Sequence, residues 1–354
     1  MKHLHHVFRT AVTFLGLSAT LSSCIDEDMS DCGKDYQIKY DLQLNTQINT
    51  VIDADLNLEE EQDIAGNLKQ AMDGIFTDHA KDNDLSFFID DDLSHHEANE
   101  MNSNSASYTI FLPRANYENL SLANIGEASN MSITNPSILH SLALTQEKKD
   151  TIDSHNIGLF SSRLTIQEDD FDHDLQSTLY MANCASAVVI DKNSIPADDI
   201  FGFVKGMADE FLVKDSIYHY DNNTIVRAQR VEDTDRHAAL YAVSFPSRDG
   251  YYIGNNAKMQ QGSNTSSSQE RSKGSVATRA DESTPGIWEF HVIVKLNGKF
   301  TENILTFPTP LQAGHLKIVK VTLQPDGSFT SNSQSVGVSV KLDWKPGGSH
   351  DIEI

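Results

Sequence analysis

Alternation of apolar and polar positions is the commonest pattern along this chain. In YQIKYDLQL (36–44), Tyr36, Ile38, Tyr40, Leu42 and Leu44 occupy every second place and predict a half-buried strand. The period then changes. Over 58–82, Ile64, Leu68, Ala71, Met72, Ile75 and Phe76 recur at helical spacing behind an acidic first turn, which suits the positive end of a helix dipole. Period two returns in DLSFFIDD and SYTIFLPRANYENLSLANI, becomes irregular from 127 to 160, and resumes in RLTIQ (163–167).

A second series of strand-like runs begins near residue 176 with QSTLYMANCASAVVID, IFGFVKGMADEF, TIVRAQRVE and LYAVSFPS. Within it, 204–211 fits neither period. Residues 260–285 are polar and Ser-rich, with too little apolar surface to bury, and read as a flexible loop. The last third alternates most regularly. GIWEFHVIVKL, HLKIVKVTL and SVGVSVKLDW surround Pro325-Asp326-Gly327, whose residue types favour a turn. Ile352 and Ile354 carry the alternation past Gly347 and Gly348, so the tail either closes its own sheet or is donated to a neighbour by strand exchange. These patterns predict a mainly β fold of two β-sandwich domains, 36–170 with one helix and 171–354 with the 260–285 loop.

The first 35 residues follow a different logic. Lys2 and Arg9 precede the apolar run 11–21, which is too short to span a bilayer and has the length of a signal-peptide core. Leu21-Ser22-Ser23-Cys24 then has the shape of a lipobox: an aliphatic residue, two small ones that leave the bond open to a peptidase, and a thiol. On this reading 1–23 is a lipoprotein signal peptide. Cys24 becomes the mature N-terminus, carrying diacylglycerol and an N-acyl lipid, and no other cofactor is expected. Residues 24–35 form an acidic tether opening with Ile25-Asp26-Glu27-Asp28. Such a tract resembles an export signal to the outer face of bacteria rich in surface lipoproteins; the plainer reading is a hydrated tether.

Net charge narrows the partners. At −24 over 354 residues, the chain lacks the clustered cations that nucleic acid requires, and adsorption to anionic lipid without acyl chains is disfavoured. Three cysteines leave two once Cys24 is acylated. Cys32 and Cys184 can pair in an oxidising compartment; alternatively Cys184, inside an apolar run, stays a buried thiol.

Motifs for catalysis or metal binding fail at defined positions. His96-Glu97-Ala98-Asn99-Glu100 opens like a zinc-protease helix but has Glu100 where the second histidine is needed, and reads as a solvated loop. The Asp53, Asp55, Asn57 series opens like a calcium loop but has Leu58 in place of the turn glycine and Ile64 in place of the bidentate glutamate. Asp90-Asp91-Asp92 reads as a hydrated run, and no phosphate-binding loop or nucleophile elbow occurs. The expectation is a protein that is not an enzyme.

A lipobox cysteine, an acidic spacer and a second cysteine in Asp28-Met29-Ser30-Asp31-Cys32, followed at once by a strand, resemble the start of fimbrillin-associated anchor subunits. These are the minor, lipid-anchored subunits of type V fimbriae. The Tyr-rich first strand, TIFLPRANYENLSLANI and the final VSVKLDW strand continue the likeness, while the 260–285 loop departs from it. The resemblance implies two transthyretin-like sandwiches and β-strand-mediated contacts with major and minor fimbrial subunits. It also implies a mechanical role at the cell outer membrane, facing outward: anchoring the base of a fimbria and limiting its length. The competing expectation is a surface lipoprotein adhesin or glycan-binding module that does not polymerise, with Tyr251-Tyr252 as the sugar platform.

Overall fold

The structure, a computed structural model, describes residues 37–47, 51–54, 56, 60–76, 80–146, 151–170, 174–220, 225–248, 287–331 and 337–342. The leader, Cys24, the tether with Cys32, Tyr251-Tyr252, the 260–285 loop, Ile352 and Ile354 lie outside the described residues.

In chain order the strands of the first half are β1 (Gln37–Gln47), β2 (Val51–Ala54), β3 (Asp82–Ile89), β4 (Asp92–Glu100), β5 (Ser105–Pro113), β6 (Tyr117–Ala123), β7 (Met131–Thr134), β8 (Ala143–Gln146), β9 (Thr151–Asp153), β10 (Phe160–Ile166) and β11 (Asp174–Met181). The helix α1 (Gln62–Ala71) lies between β2 and β3. The second half contributes β12 (Cys184–Asp191), β13 (Asp199–Lys205), β14 (Glu210–Leu212), β15 (Ile217–His219), β16 (Ile225–Arg227), β17 (Gln229–Arg230), β18 (His237–Ser244), β19 (Trp288–Leu296), β20 (Lys299–Phe307), β21 (His315–Leu323), β22 (Phe329–Thr330) and β23 (Gly337–Leu342). The chain is mainly β, as its alternation predicts.

The first sheet has the order β4-β3-β6-β10-β11-β1-β5. Tyr40, Leu42 and Leu44 point from β1 into a core shared with Leu85 and Phe87 of β3 and with Ile110 and Leu112 of β5. Strands from opposite ends of the order thus meet over one core, and the Asn83 amide donates to the Tyr108 hydroxyl at 2.6 Å across the gap. The sheet curls over itself. β11 belongs to it, parallel to β1 and antiparallel to β10, so the first sheet runs to Met181, past the boundary expected at 170/171. Its alternating Leu175, Ser177, Leu179 and Met181 bury one face there instead of opening a second domain.

The second half is built around a sheet ordered β17-β18-β12-β21-β2, with β22 also on β21. Two of its inner strands, CASAVVID and HAALYAVS, are buried at all eight positions, so both faces need a cover. Val188, Ile190, Leu240 and Val321 face a six-stranded sheet, β23-β20-β19-β13-β16-β9, across a core containing Trp288, Phe290 and Phe307. Ala187, Val189, Tyr241 and Ile318 face the other way and receive Ile64, Leu68, Met72 and Ile75 of α1 and the turn after it. The helix therefore packs on the second half, although the sequence places it among strands of the first. Its apolar stripe covers the sheet face that has no other partner layer. Gly158 permits this docking, because a Cβ there would stand 2.2 Å from the Ile75 carbonyl oxygen.

Four strands of the first half also pair into sheets with the second. β2 runs parallel to β21 and β9 parallel to β16, while β7 and β8 join β14 and β15 in the order β15-β14-β8-β7. The last of these sheets covers Phe88, Leu120 and Leu122 on the other face of β3 and β6. The two halves are interlocked, not merely adjacent.

His155 sits at this interlock and gives a pH prediction. It is buried, with the Gln146 amide 2.6 Å from Nε2, the Asn183 amide 3.4 Å from Nδ1 and the Phe245 ring edge-on. Burial holds the imidazole neutral and moves its pKa down to about 4 from 6.5. The unfolded chain therefore binds a proton that the folded chain refuses between those values. Stability is constant with respect to this group above about 6.5, falls as pH drops to about 4, and levels below; the total is about 3 kcal/mol. Urea midpoints across that range should show the loss in the natural chain and a smaller one in His155→Gln. Equal slopes in the two would sink the assignment.

Candidate interaction site

Sheet edges are where one β protein pairs with another, and the edges of this chain are protected in different ways. β4 carries His95, His96, Glu97 and Glu100 along an edge position, a charged strand that discourages pairing. β17 and β15 are two and three residues long. β2 differs. All four of its residues are exposed, three of them apolar, with Ile52 at 62%.

Beside β2 lies a groove of about 580 Å³. Ile52 and Ala54 form one wall, Leu316 and Ile318 of β21 the floor, and α1 with Leu68 and Met72 the opposite wall. Lys69 and Asp73 stand in its lining as the charged groups. The register is fixed from below by Lys317, whose ammonium reaches Asp53 at 2.6 Å. Such a site can accept an extended, alternately apolar segment; it offers no constellation for bond-breaking.

Side-chain clusters elsewhere are structural in geometry. Ser86 Oγ lies 3.1 Å from His96 Nδ1, and His96 Nε2 lies 3.4 Å from Asp84, across β3 and β4. That trio superficially resembles a nucleophile, base and orienting acid. Alternation on paired strands explains it, and burial raises the Asp84 carboxyl against its histidine partner. The same segment, expected as a solvated loop, is the strand β4: its alternation of exposed and half-buried positions pairs it residue for residue with β3. His291 is buried between Glu289 and Glu302, each 2.8 Å from a ring nitrogen, and Phe203 stacks on it at 4.6 Å. The hydrogen bond from His291 holds the Glu289 carboxyl below its usual range. Among the described residues no group of three or more His, Cys, Asp or Glu is placed to hold a metal ion. Asp53 pairs with Lys317, and Asp91 with His140, instead of converging.

Of the two cysteines for which pairing or a buried thiol was open, Cys184 is fully buried at the start of β12. Its sulfur lies 3.8 Å from Ser244 Oγ and 3.5 Å from the Phe245 carbonyl, and burial pushes the thiol up to about 12. Its named partner Cys32, the lipidation residue Cys24 and the tail residues Ile352 and Ile354 are the ones outside the described residues. The β2 groove carries no sequence motif, and Val51 and Ile52 are its local trace. Two adjacent β-branched residues before the helix were the available signal.

No protein-family model matches the sequence, and no curated protein matches it. Among solved structures the chain is similar in course to a candidate adhesin of Bacteroides thetaiotaomicron, with a TM-score of 0.45, 11% identity, and 87% of this chain and 98% of that one covered. A candidate polysaccharide-binding protein of the same species gives a TM-score of 0.44 and 10% identity, over 86% and 96% of the two chains. The fimbrial anchor protein Mfa2 of Porphyromonas gingivalis gives 0.43 and 10%, over 86% and 99%.

Proposed function

We propose that the chain is a lipid-anchored minor fimbrial subunit that holds the base of a fimbria at the outer membrane and limits its length. The observation that carries this reading is the N-terminal order: a short apolar run, Leu21-Ser22-Ser23-Cys24, an acidic spacer, and then a β body. A lipid at Cys24 fixes one end of the chain to a membrane, and among the described residues no helix is long and apolar enough to cross one. The β body supplies edges, and strand addition at an open edge is the physical means by which such subunits join. Anchoring by the end from which a fibre grows makes a terminator.

A surface adhesin that does not polymerise shares the anchor and differs in its partner. The exposed aromatics Phe111 and Tyr180 bear on it. They stand beside Lys39 and Gln47, at opposite ends of β1, about 26 Å apart by strand rise, too far to stack on one sugar.

Fractionation tests the anchor. Cys24→Ala should move the chain from the membrane to the soluble fraction; a mutant that stays bound through high-salt washing refutes the lipid. Capture from intact cells tests the partner. Co-purification of fimbrial subunits supports the anchor role, and recovery of glycan or host protein alone supports the adhesin.

A further inference from the structure

The outer edge of the central sheet and the groove beside it have the form of a place for one more short strand. In the parallel pair of β2 with β21, the Val51 N–H donates to the Gly314 carbonyl at 3.3 Å. Parallel pairing turns alternate residues to opposite sides, so the amides and carbonyls of Ile52 and Ala54 face an edge where no described strand lies. The side chains of those same two residues line the groove. A segment added here would bond to that edge through its main chain and lay every second side chain against Ile52, Met72 and Ile318.

We propose that the occupant is the chain's own C-terminal segment, residues 349–354, seated in cis. Ile352 and Ile354 have the required period of two, so that both face the groove while Asp351 and Glu353 turn away from it. The path is short enough. β23 ends at Leu342, opposite Thr301, whose hydroxyl donates to the Asp326 carbonyl in the turn beyond β21. The segment therefore leaves from the C-terminal end of β21, on the edge that β2 and β22 both occupy. From Leu323 back to Leu316 is about 23 Å along the strand. Ten residues from Leu342 to Ile352 span at most about 35 Å, so the reach suffices with slack for the turn. Seated, the segment covers an apolar edge that otherwise invites pairing with other chains. This inference does not depend on the fimbrial reading.

A photocrosslink tests it. Full-length protein with benzoylphenylalanine in place of Ile52 is prepared in light and heavy isotopic forms, mixed in detergent, irradiated and digested. The expected result is a link from position 52 to 349–354 within light or within heavy chains alone. Mixed light–heavy links would show donation between copies and overturn seating in cis. Links to detergent or lipid, or to no part of 349–354, would overturn the occupant. In parallel, Ile352→Asp/Ile354→Asp should speed hydrogen exchange at the Ile52 and Ala54 amides at least about tenfold while leaving β12 protected. Unchanged exchange at those two amides also overturns the proposal.

Discussion

Replacement of Leu240 by aspartate is expected to cost more than about 4 kcal/mol and to unfold the second half of the chain near neutral pH. Leu240 is buried at the centre of β18, with its neighbours on the same face, Ala238 and Ala242, in the core between the two large sheets. Its Cδ1 reaches across to Gly202 on β13, within 3.2 Å of where a Cβ there would stand. The side chains packed around it are apolar, and its cross-strand neighbour Arg230 is already engaged by Asp233 and Asp199, so the carboxylate would be buried against apolar groups. Leu240→Ala separates charge from volume: a cavity alone costs about 2–5 kcal/mol. Ile217→Asp is the surface control, since Ile217 is 46% exposed and should stay within about 0.5 kcal/mol. Urea unfolding of the three variants ranks them. A loss at Leu240→Asp no larger than at Ile217→Asp would mean that this face of β18 is not covered by the six-stranded sheet.

Much of this architecture is legible as period two. Tyr40, Leu42 and Leu44 were readable on β1 because one face of that strand is wet, and Trp288 to Leu296 because β19 is long. The helix was readable from Ile64, Leu68, Met72 and Ile75, although its layer was not. A stripe says that a helix needs a cover; it does not say which sheet offers one. The strand β20 passed unnoticed because KFTENILTF interleaves Thr301, Glu302 and Asn303, all buried, with its apolar residues. Those three are satisfied by bonds formed only in the folded state: Asn303 donates to the Gly327 carbonyl and Glu302 faces His291. A local signal did exist. Asn297 and Gly298 both take positive φ, 52° and 76°, and Asn-Gly between two strands is the strongest short hairpin cue. The turn at Pro325-Asp326-Gly327 was readable too, but it joins β21 to the two-residue β22 and not to the long strand expected beyond it. Gly327 has φ 85°, and a Cβ there would meet Thr301 Oγ1 at 2.8 Å, so the turn is fitted to a strand of the opposite sheet.

Candidate sites divided in the same way. Leu21-Ser22-Ser23-Cys24, with the shape of a lipobox, is local in sequence by nature and so stands out before any fold is known. The β2 groove is a tertiary feature assembled from residues that are distant in sequence, including Ile52, Met72 and Ile318, and no window of sequence contains it. The same holds for the way the first half is tied into the second, where shared strands, the apolar stripe of α1 and the ion pairs Lys317–Asp53 and Lys320–Glu61 act together.

Lys320→Met should test that tie, at an expected cost of about 3–5 kcal/mol. Glu61, at the N-terminal cap of α1, has a fully buried side chain, and one carboxylate oxygen accepts from Lys320 Nζ on β21. The other oxygen has no hydrogen-bond partner among the described residues. The lysine is partly exposed, at 24%, and can recover some hydration when it loses its partner; the glutamate cannot. The two single changes are therefore unequal. Lys320→Met leaves a buried carboxylate with no cation on it, whereas Glu61→Met leaves an ammonium that can turn to solvent. Removing both charges should restore most of the stability lost in Lys320→Met, because an apolar pair of similar volume fits beside Ile64 and Ile318 on that face. A double-mutant cycle by urea denaturation gives the coupling, with a positive interaction of about 2 kcal/mol or more expected between the sites. Additive single effects, or a loss under about 1 kcal/mol for Lys320→Met, would mean that α1 is held to the second half by its apolar stripe alone.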